Sequence, residues 1–338
     1  MSELILPLIA LLLSFWLTGM IRKYALDKNI IDMPNERSSH SIPTPRGGGL
    51  AVVMTFYVFL FIYFRQGYIE STIFYTLLGL MAIALIGFID DHGHIPARYR
   101  LLVHFTVAAW CVYWSGTLFP HLAAHNQFLY WGFALATVFY LVWLLNLFNF
   151  MDGIDGIASV EAITVLGSAA LIMYRQSEYS LVAEGLFFLF LAGTSAIAGF
   201  LLWNWPPAKI FMGDVGSAFL GMLFGVFSII TTQMGIMNFS VWLILLAVFI
   251  TDASLTLLVR LLNQEKVYEA HRSHAYQHLA KRYGHKKITQ SVVVINLLWL
   301  FPLAVMTQNY AEFSGVFLLL AYLPLVILAA KYKAGLSV

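Results

Sequence analysis

Asp90 and Asp91 stand side by side just after an apolar run from Ser71 to Ile89, so two carboxylates are held where a helix of membrane-spanning length ends. Adjacent acids disfavour each other's ionisation, and charge beside a bilayer is costly unless it pairs, faces water or binds an ion. A divalent cation relieves both costs. Taken alone, the pair reads more plainly as a solvated interfacial loop; the rest of the chain overturns that reading. Asn146, Asn149, Asp152 and Asp155 recur every third residue in NLFNFMDGIDG. On a continuous helix, at about 100° per residue, Asn146 and Asp155 point to opposite faces. They converge only if the helix breaks, and Gly153 and Gly156 supply residues able to break it. A capped polar helix end accounts for one or two of these residues, not for four and two glycines.

Two further groups follow. Phe211, Met212, Gly213 and Asp214 come after Pro206 and Pro207 and just before an apolar run, which places Asp214 near a helix amino terminus. Capping is the ordinary role of an aspartate there, and the same carboxylate also suits a metal. Phe211 can stack on a planar base or simply anchor the helix at the interface. Later, His271, Arg272, Ser273, His274 and His278 precede Lys281, Arg282, Lys286 and Lys287. The spacing of His271, His274 and His278 predicts one helix face. A Zn²⁺ site would need an acidic or cysteine ligand at a familiar spacing, which the loop lacks. Phosphate recognition suits it better, with Arg272 able to make a two-pronged contact.

These groups need a scaffold, and composition says which kind. Hydrophobic residues make up 60% of the 338 and charged residues 11%, with a mean hydropathy of +0.80. A soluble domain carries about 25% charged residues, so the chain is predicted to be an all-α polytopic membrane protein. Apolar stretches fall near 3–21, 48–64, 71–89, 101–119, 128–145, 160–174, 185–203, 216–232, 240–260, 290–307 and 312–330, eleven candidate transmembrane helices. Little remains for a soluble domain. The expected organisation is one integral-membrane catalytic domain, 1–338, with active-site loops at 22–47, 90–100, 146–159, 204–215 and 261–289. No internal repeat or low-complexity segment is seen. The first stretch is expected to stay as a helix, since its basic residues follow the apolar run. Cys111, the single cysteine, lies within a span, so no intramolecular disulfide forms.

Sorting alternate loops by charge orients the chain. Of the 19 Lys and Arg residues, Arg65 and Arg175 fall in one set of loops and the other 17 in the opposite set. Cations stay on the cytoplasmic side, which predicts the N-terminus outside and the C-terminus in the cytoplasm. All four polar groups then lie on the cytoplasmic side. Only Asp252 lies well inside a span, where it is read as an interhelical hydrogen-bond partner.

Acids that hold a divalent cation, facing basic groups that hold phosphates, are the parts phosphoryl transfer requires. The order DD at 90, NxxNFMDGIDG at 146, FMGD at 211 and HRSH at 271 resembles the polyprenyl-phosphate N-acetylhexosamine-1-phosphate transferase superfamily, and PTPRGGG at 43–49 resembles its first cytoplasmic loop. That superfamily contains the bacterial initiators of O-antigen, enterobacterial common antigen and wall teichoic acid synthesis, and the peptidoglycan phospho-MurNAc-pentapeptide translocase. The resemblance implies that Asn149 and Asp214 hold Mg²⁺, or Mn²⁺ in its place. It implies that Asp155 reads the uracil edge, that Phe211 stacks on uracil, and that Arg100 lies near the phosphates. It makes Asp90 or Asp91 the residue that deprotonates or positions the lipid phosphate. Asp152 and His271 join the catalytic set, and Asn146, Arg272 and His274 the substrate-binding set. Relatives read HHH or HxHH where this chain reads HRSH, a form more like O-antigen initiators that use UDP-N-acetylfucosamine or UDP-N-acetylquinovosamine.

The expected partners are undecaprenyl phosphate, a UDP-N-acetylhexosamine of GlcNAc, FucNAc or QuiNAc type and membrane lipids, with no nucleic acid, in a multi-pass protein of the bacterial inner membrane. A homodimer is allowed. The expected product is a lipid pyrophosphoryl sugar that starts lipopolysaccharide O-antigen or another surface polysaccharide. The competing readings are the peptidoglycan translocase and, in a different class, a secondary transporter or lipid flippase, whose site belongs near the bilayer midplane.

Overall fold

The computed structural model describes residues 2–34, 42–93, 95–123, 126–177, 180–265 and 272–336. Its elements run α1 (Ser2–Asp27), β1 (Ile31–Asp32), β2 (Thr44–Pro45), α2 (Gly49–Arg65), α3 (Ser71–Leu78), α4 (Met81–His92), α5 (Ala97–Ser115), α6 (Pro120–Ala123), α7 (Gln127–Phe150), α8 (Ile157–Ser177), α9 (Leu181–Asn204) and α10 (Asp214–Gln233). Then follow α11 (Phe239–Leu245), α12 (Ala247–Leu262), α13 (Ala275–Tyr283), α14 (His285–Ile295), a π-helical turn (Asn296–Leu300), α15 (Phe301–Asn309) and α16 (Ser314–Lys331). The protein is an all-α polytopic membrane protein whose described sheet is one two-residue antiparallel pair, Ile31 opposite Pro45 and Asp32 opposite Thr44.

Each of the eleven apolar stretches falls on helix, but the span count is smaller. Among the described residues, eight helices are long and apolar enough to cross a bilayer, and α11 with α12, bent by 76°, makes up to nine. α2 is apolar but only 17 residues long. α5 carries Arg98, Arg100 and His104, which lower its hydropathy.

The centre of the bundle is α10, in which every residue from Val215 to Thr231 is buried. A helix that is apolar all round belongs inside a bundle, and α10 packs on α7, α4 and α2. By contrast α1 and α16 leave large side chains such as Leu8, Trp16, Leu319 and Ile327 exposed, the faces expected to meet lipid. The ends of α4, α7 and α9 and the starts of α5, α8 and α10 gather at one end of this bundle, and the polar groups sit there.

Candidate active site

Asp91 is the hinge of the arrangement. Its side chain is buried at the end of α4, and its Oδ1 and Oδ2 accept the backbone N–H groups of Asp214 (3.1 Å) and Val215 (3.2 Å). Those are orphan donors at the start of α10, where Gly213 occupies the cap position and offers no side chain. Gly213 has φ +75°, and a Cβ there would run into the Asp91 carboxylate. Asp214 is therefore not the cap of its own helix. Its carboxylate is left free to face the site.

That carboxylate meets Arg100 and Asn149. Arg100 Nη1 lies 2.8 Å from Asp90 Oδ2 and 2.7 Å from Asp214 Oδ2, bridging the two acids. Asn149 Nδ2 donates to Asp214 Oδ1 (3.0 Å) and to Ser217 Oγ (2.9 Å). Asp90 also accepts the Ile95 N–H on Oδ1 (2.7 Å), which ties the loop after α4 to the acid. Arg100, Asn146, Asn149 and Asp214 line a cavity of about 320 Å³ walled by apolar residues of α4, α5, α7 and α10. Asn146 turns its Nδ2 back onto Val142 O of its own helix (2.7 Å) and presents its remaining edge to this cavity.

The helix break falls where the three-residue repeat requires it. α7 ends at Phe150, α8 begins at Ile157, and Gly156 takes φ +75° between them. The turn divides the repeat, with Asn146 and Asn149 on the cavity side and Asp155 turned away. Asp155 Oδ2 accepts the Ala208 N–H (3.1 Å), its Oδ1 lies 3.3 Å from His285 Nδ1, and its carbonyl accepts the Thr289 hydroxyl (2.8 Å). Asp152 lies between these groups. Burial, reinforced by the negative charges of Asp214, Asp91 and Asp155, holds its carboxyl well above the usual carboxylate range.

The first loop closes the site from beneath. Phe211 N–H donates to Pro45 O (2.8 Å), Gly48 N–H to Phe211 O (2.9 Å) and Gly49 N–H to Met212 O (2.8 Å). Phe211 is thus fixed through its backbone, with its ring half-buried. Arg46 donates through Nε to Asp91 O (2.9 Å) and through Nη2 to Asp90 O (3.4 Å), holding the end of α4.

The His/Arg loop departs from the sequence expectation. α13 begins only at Ala275, so His274 is its extended N-cap residue and does not share a helix face with His278. His274 is buried with Nδ1 3.3 Å from Asp252 Oδ1, whereas His278 Nδ1 reaches Tyr332 O (2.9 Å). Arg272 is exposed. His271 lies outside the described residues. Asp252 does more than join two helices. Its Oδ1 and Oδ2 accept the N–H groups of Ala275 (3.0 Å) and Tyr276 (2.8 Å), clamping the start of α13. Tyr276 in turn donates its hydroxyl to Phe150 O (3.0 Å) at the end of α7. Burial, with the carboxylates of Asp252 and Asp152, pushes the Tyr276 hydroxyl up and keeps it a neutral donor. Sequence reasoning missed Tyr276, Arg46, His285 and Thr289. Asp252 carried a signal, an acid inside an apolar run, and Arg46 lay within the PTPRGGG segment.

Among the described residues no three His, Cys, Asp or Glu side chains converge as a preformed metal cage. The oxygens that do converge are those of the Asp214 and Asp90 carboxylates, while Asn149 turns its amide nitrogen to Asp214, so its Oδ1 would face a cation there only with the amide turned over.

Fold and site together define a multi-pass α-helical membrane protein with a carboxylate, amide and guanidinium cluster at one end of its bundle. Residues 73–232, which contain the Asp90–Asp91 pair, the Asn/Asp/Gly turn and Asp214, match glycosyl transferase family 4. That match and the relatives it goes with support the likeness to the polyprenyl-phosphate N-acetylhexosamine-1-phosphate transferase superfamily. It is 28% identical over 298 residues, 86% of this chain and 80% of the relative, to a probable undecaprenyl-phosphate N-acetylglucosaminyl 1-phosphate transferase of Bacillus subtilis. An undecaprenyl-phosphate alpha-N-acetylglucosaminyl 1-phosphate transferase of Thermotoga maritima is 26% identical over 65% of this chain and 63% of its own. A phospho-N-acetylmuramoyl-pentapeptide-transferase of Bacillus velezensis is 26% identical over 63% of this chain and 69% of its own.

Proposed function

We propose that this protein transfers an N-acetylhexosamine-1-phosphate from a UDP-sugar to undecaprenyl phosphate at the cytoplasmic face of a bacterial inner membrane, starting O-antigen or another surface polysaccharide. The whole chain acts as one integral-membrane catalytic domain. The observation that carries the reading is the bridge from Asp90 through Arg100 to Asp214, with Asn149 on the same carboxylate, at the end of an apolar-walled cavity. Such a place receives a phosphate whose hydrocarbon tail stays in lipid while a nucleotide arrives from water.

An oxygen of the lipid phosphate attacks the sugar-linked phosphorus of the UDP-sugar. The bond from that phosphorus to the bridging oxygen breaks, and UMP leaves with the electron pair. One pyrophosphate bond forms as another is lost, so the step is nearly isoenergetic, and catalysis reduces to positioning two anions and neutralising their repulsion. Arg100 supplies positive charge between the two phosphates, and Asp90 orients the attacking one through Arg100. Asp91 fixes the start of α10, and Asp152 adds acid character beside the turn. Asp214 would hold Mg²⁺, joined by the side-chain oxygen of Asn149 once its amide turns over; Mg²⁺ usually binds through one or two carboxylates plus substrate phosphates. Bound there, the ion would supply charge neutralisation on the pyrophosphate. Phe211 and Asp155 flank the nucleotide side, the ring stacking on uracil and the acid reading its edge. Arg272 and His271 bring the last loop to the sugar phosphate, and His274, buried against Asp252, positions that loop.

Asp252 supports the enzyme reading over a transporter, because its oxygens are taken by amides of α13 and are not offered to a translocated ion. Transfer of phospho-N-acetylmuramoyl-pentapeptide is the second reading, supported by the name of the Bacillus velezensis relative. HRSH at 271–274 in place of three histidines supports the first. Purified protein incubated with undecaprenyl phosphate and a panel of UDP-sugars should release UMP with an N-acetylhexosamine donor. Release only with UDP-N-acetylmuramoyl-pentapeptide would establish the second reading, and no release with any donor would sink both.

A further inference from the structure

Behind α13 lies a second cavity, of about 490 Å³, that shares no lining residue with the one at Asp214. Its walls come from α12, α13, α14 and α16 and from the ends of α7 and α8, and they are apolar except at two places. Inside, Thr251 is 5% exposed and its Oγ1 has no hydrogen-bond partner. That oxygen is itself shut off from the open space, so the interior offers an occupant mainly apolar surface. At the mouth stands Lys287, exposed, beside Tyr283, over whose ring the Arg282 guanidinium lies at 5.2 Å, and Tyr332, which follows Lys331. The cavity therefore asks for a hydrocarbon body and an anionic head.

We propose that this cavity binds an anionic phospholipid, whose acyl chain fills it and whose phosphate sits on Lys287, and that occupancy holds α13 against the active site. A volume of about 490 Å³ lies within the range of small-molecule sites, and anionic lipids concentrate where cations line a cytoplasmic membrane surface. The site is separate from the cavity at Asp214, where the acceptor phosphate is proposed to bind, since the two share no lining residue. Two cavity residues give occupancy its leverage. Asp252 clamps the start of α13, and Tyr276 reaches Phe150 O and lies against Gly153 in the turn that carries Asp152. A filled cavity supports both contacts, whereas an empty one lets Tyr276 swing back into it.

The regulatory part rests on the transferase reading, and the binding part does not. The test uses the full chain, stripped of lipid and placed in phosphatidylcholine nanodiscs, with phosphatidylglycerol titrated in. Retained lipid is read by native mass spectrometry and turnover by UMP release. Lys287→Glu closes the anionic head site and Ser291→Trp fills the mouth, while Lys23→Glu on α1 removes an exposed cation elsewhere. The expected result is retention of one phosphatidylglycerol, weakened about tenfold by the first two variants, as the loss of a charge-assisted contact predicts, and unchanged by the third. Phosphatidylglycerol should raise UMP release in the wild type but not in Lys287→Glu or Ser291→Trp. Equal retention by all three variants, or equal retention of phosphatidylcholine, overturns the site. Displacement of the bound lipid by undecaprenyl phosphate in proportion to its concentration would assign the cavity to the acceptor and also overturn it. Absence of UMP in every lipid, with retention still dependent on Lys287, would sink the transferase reading and leave the lipid site standing.

Discussion

Asp214 donates its backbone N–H to Asp91 Oδ1 at 3.1 Å, so the acid that ends α4 caps the helix that presents the other acid. Capping and ligand-holding are two demands on a carboxylate at a helix start; here Asp91 meets the first, which leaves the Asp214 carboxylate available for the proposed second. Asp91→Ala removes acceptors from two orphan amides and should destabilise the protein by about 1–2 kcal/mol. Asp214→Asn should leave the melting temperature near that of the wild type and abolish most UMP release, because a neutral amide is a poorer Mg²⁺ ligand than a carboxylate. Thermal unfolding and UMP release measured on both variants check this. A stability loss confined to Asp214→Asn would reverse the two roles.

Asp252 should behave as a positioning residue. Asp252→Asn keeps one acceptor oxygen for α13, and Asp252→Ala keeps none. The expected outcome is graded: Asp252→Ala loses turnover strongly and Asp252→Asn recovers part of it, with the KM for undecaprenyl phosphate little changed in either. Tyr276→Phe, which loses only the bond to Phe150 O, should also lower kcat more than it raises KM. If instead KM alone moves, α13 forms part of a binding surface and not a brace.

How much of this was readable in the chain follows from the distance between partners. The all-α membrane class, the helix starting at Asp214 and the break between Phe150 and Ile157 all follow from local composition or period, and they are present. The division of labour between Asp91 and Asp214 joins residues 123 apart, and local pattern cannot express it. The three-histidine face fails for a local reason, since His274 at ψ 144° is extended and the helix starts one residue later. Asp155 illustrates a third case: its residue type drew notice through the repeat, but the turn aims it at Ala208 and His285, away from Asn149. In the span count, polar residues in α5 and the short length of α2 separate helices that exist from helices that pass a bilayer criterion.

Asp152 gives a pH prediction for the metal-free protein. Its carboxyl is held well above its usual range in the fold, chiefly by burial, so the folded state prefers the protonated form. Below about pH 4 both folded and unfolded chains are protonated there and the residue carries no penalty. As pH rises, the unfolded chain ionises first, and stability falls until the folded group also ionises. With chelator present, melting temperature should drop from pH 5 toward neutrality, and Asp152→Asn should flatten the slope while abolishing turnover. A variant with the wild-type slope would remove Asp152 from the acidic cluster.

The charge count predicts orientation. A reporter active only outside the cytoplasm should be active when fused at Gln66, between α2 and α3, and silent at Pro96, between α4 and α5. The opposite pattern would place Asp90, Arg100 and Asp214 on the outer face, where no UDP-sugar reaches them.

Arg100 offers the sharpest test of the site, because in this structure it occupies the carboxylate oxygen that the metal reading needs. Its Nη1 lies 2.7 Å from Asp214 Oδ2, so guanidinium and cation compete for one acid. Arg100→Gln removes the competitor. The Mg²⁺ concentration for half-maximal activity should fall, while turnover drops about 10²–10³-fold for want of positive charge at the transferring phosphate. Calorimetry with Mg²⁺ alone separates these two effects, since tighter metal binding needs no substrate. Weaker Mg²⁺ binding together with unchanged turnover would mean that Arg100 only braces Asp90 and Asp214, and that the charge stabilising transfer comes from another cation, with Arg272 first in line.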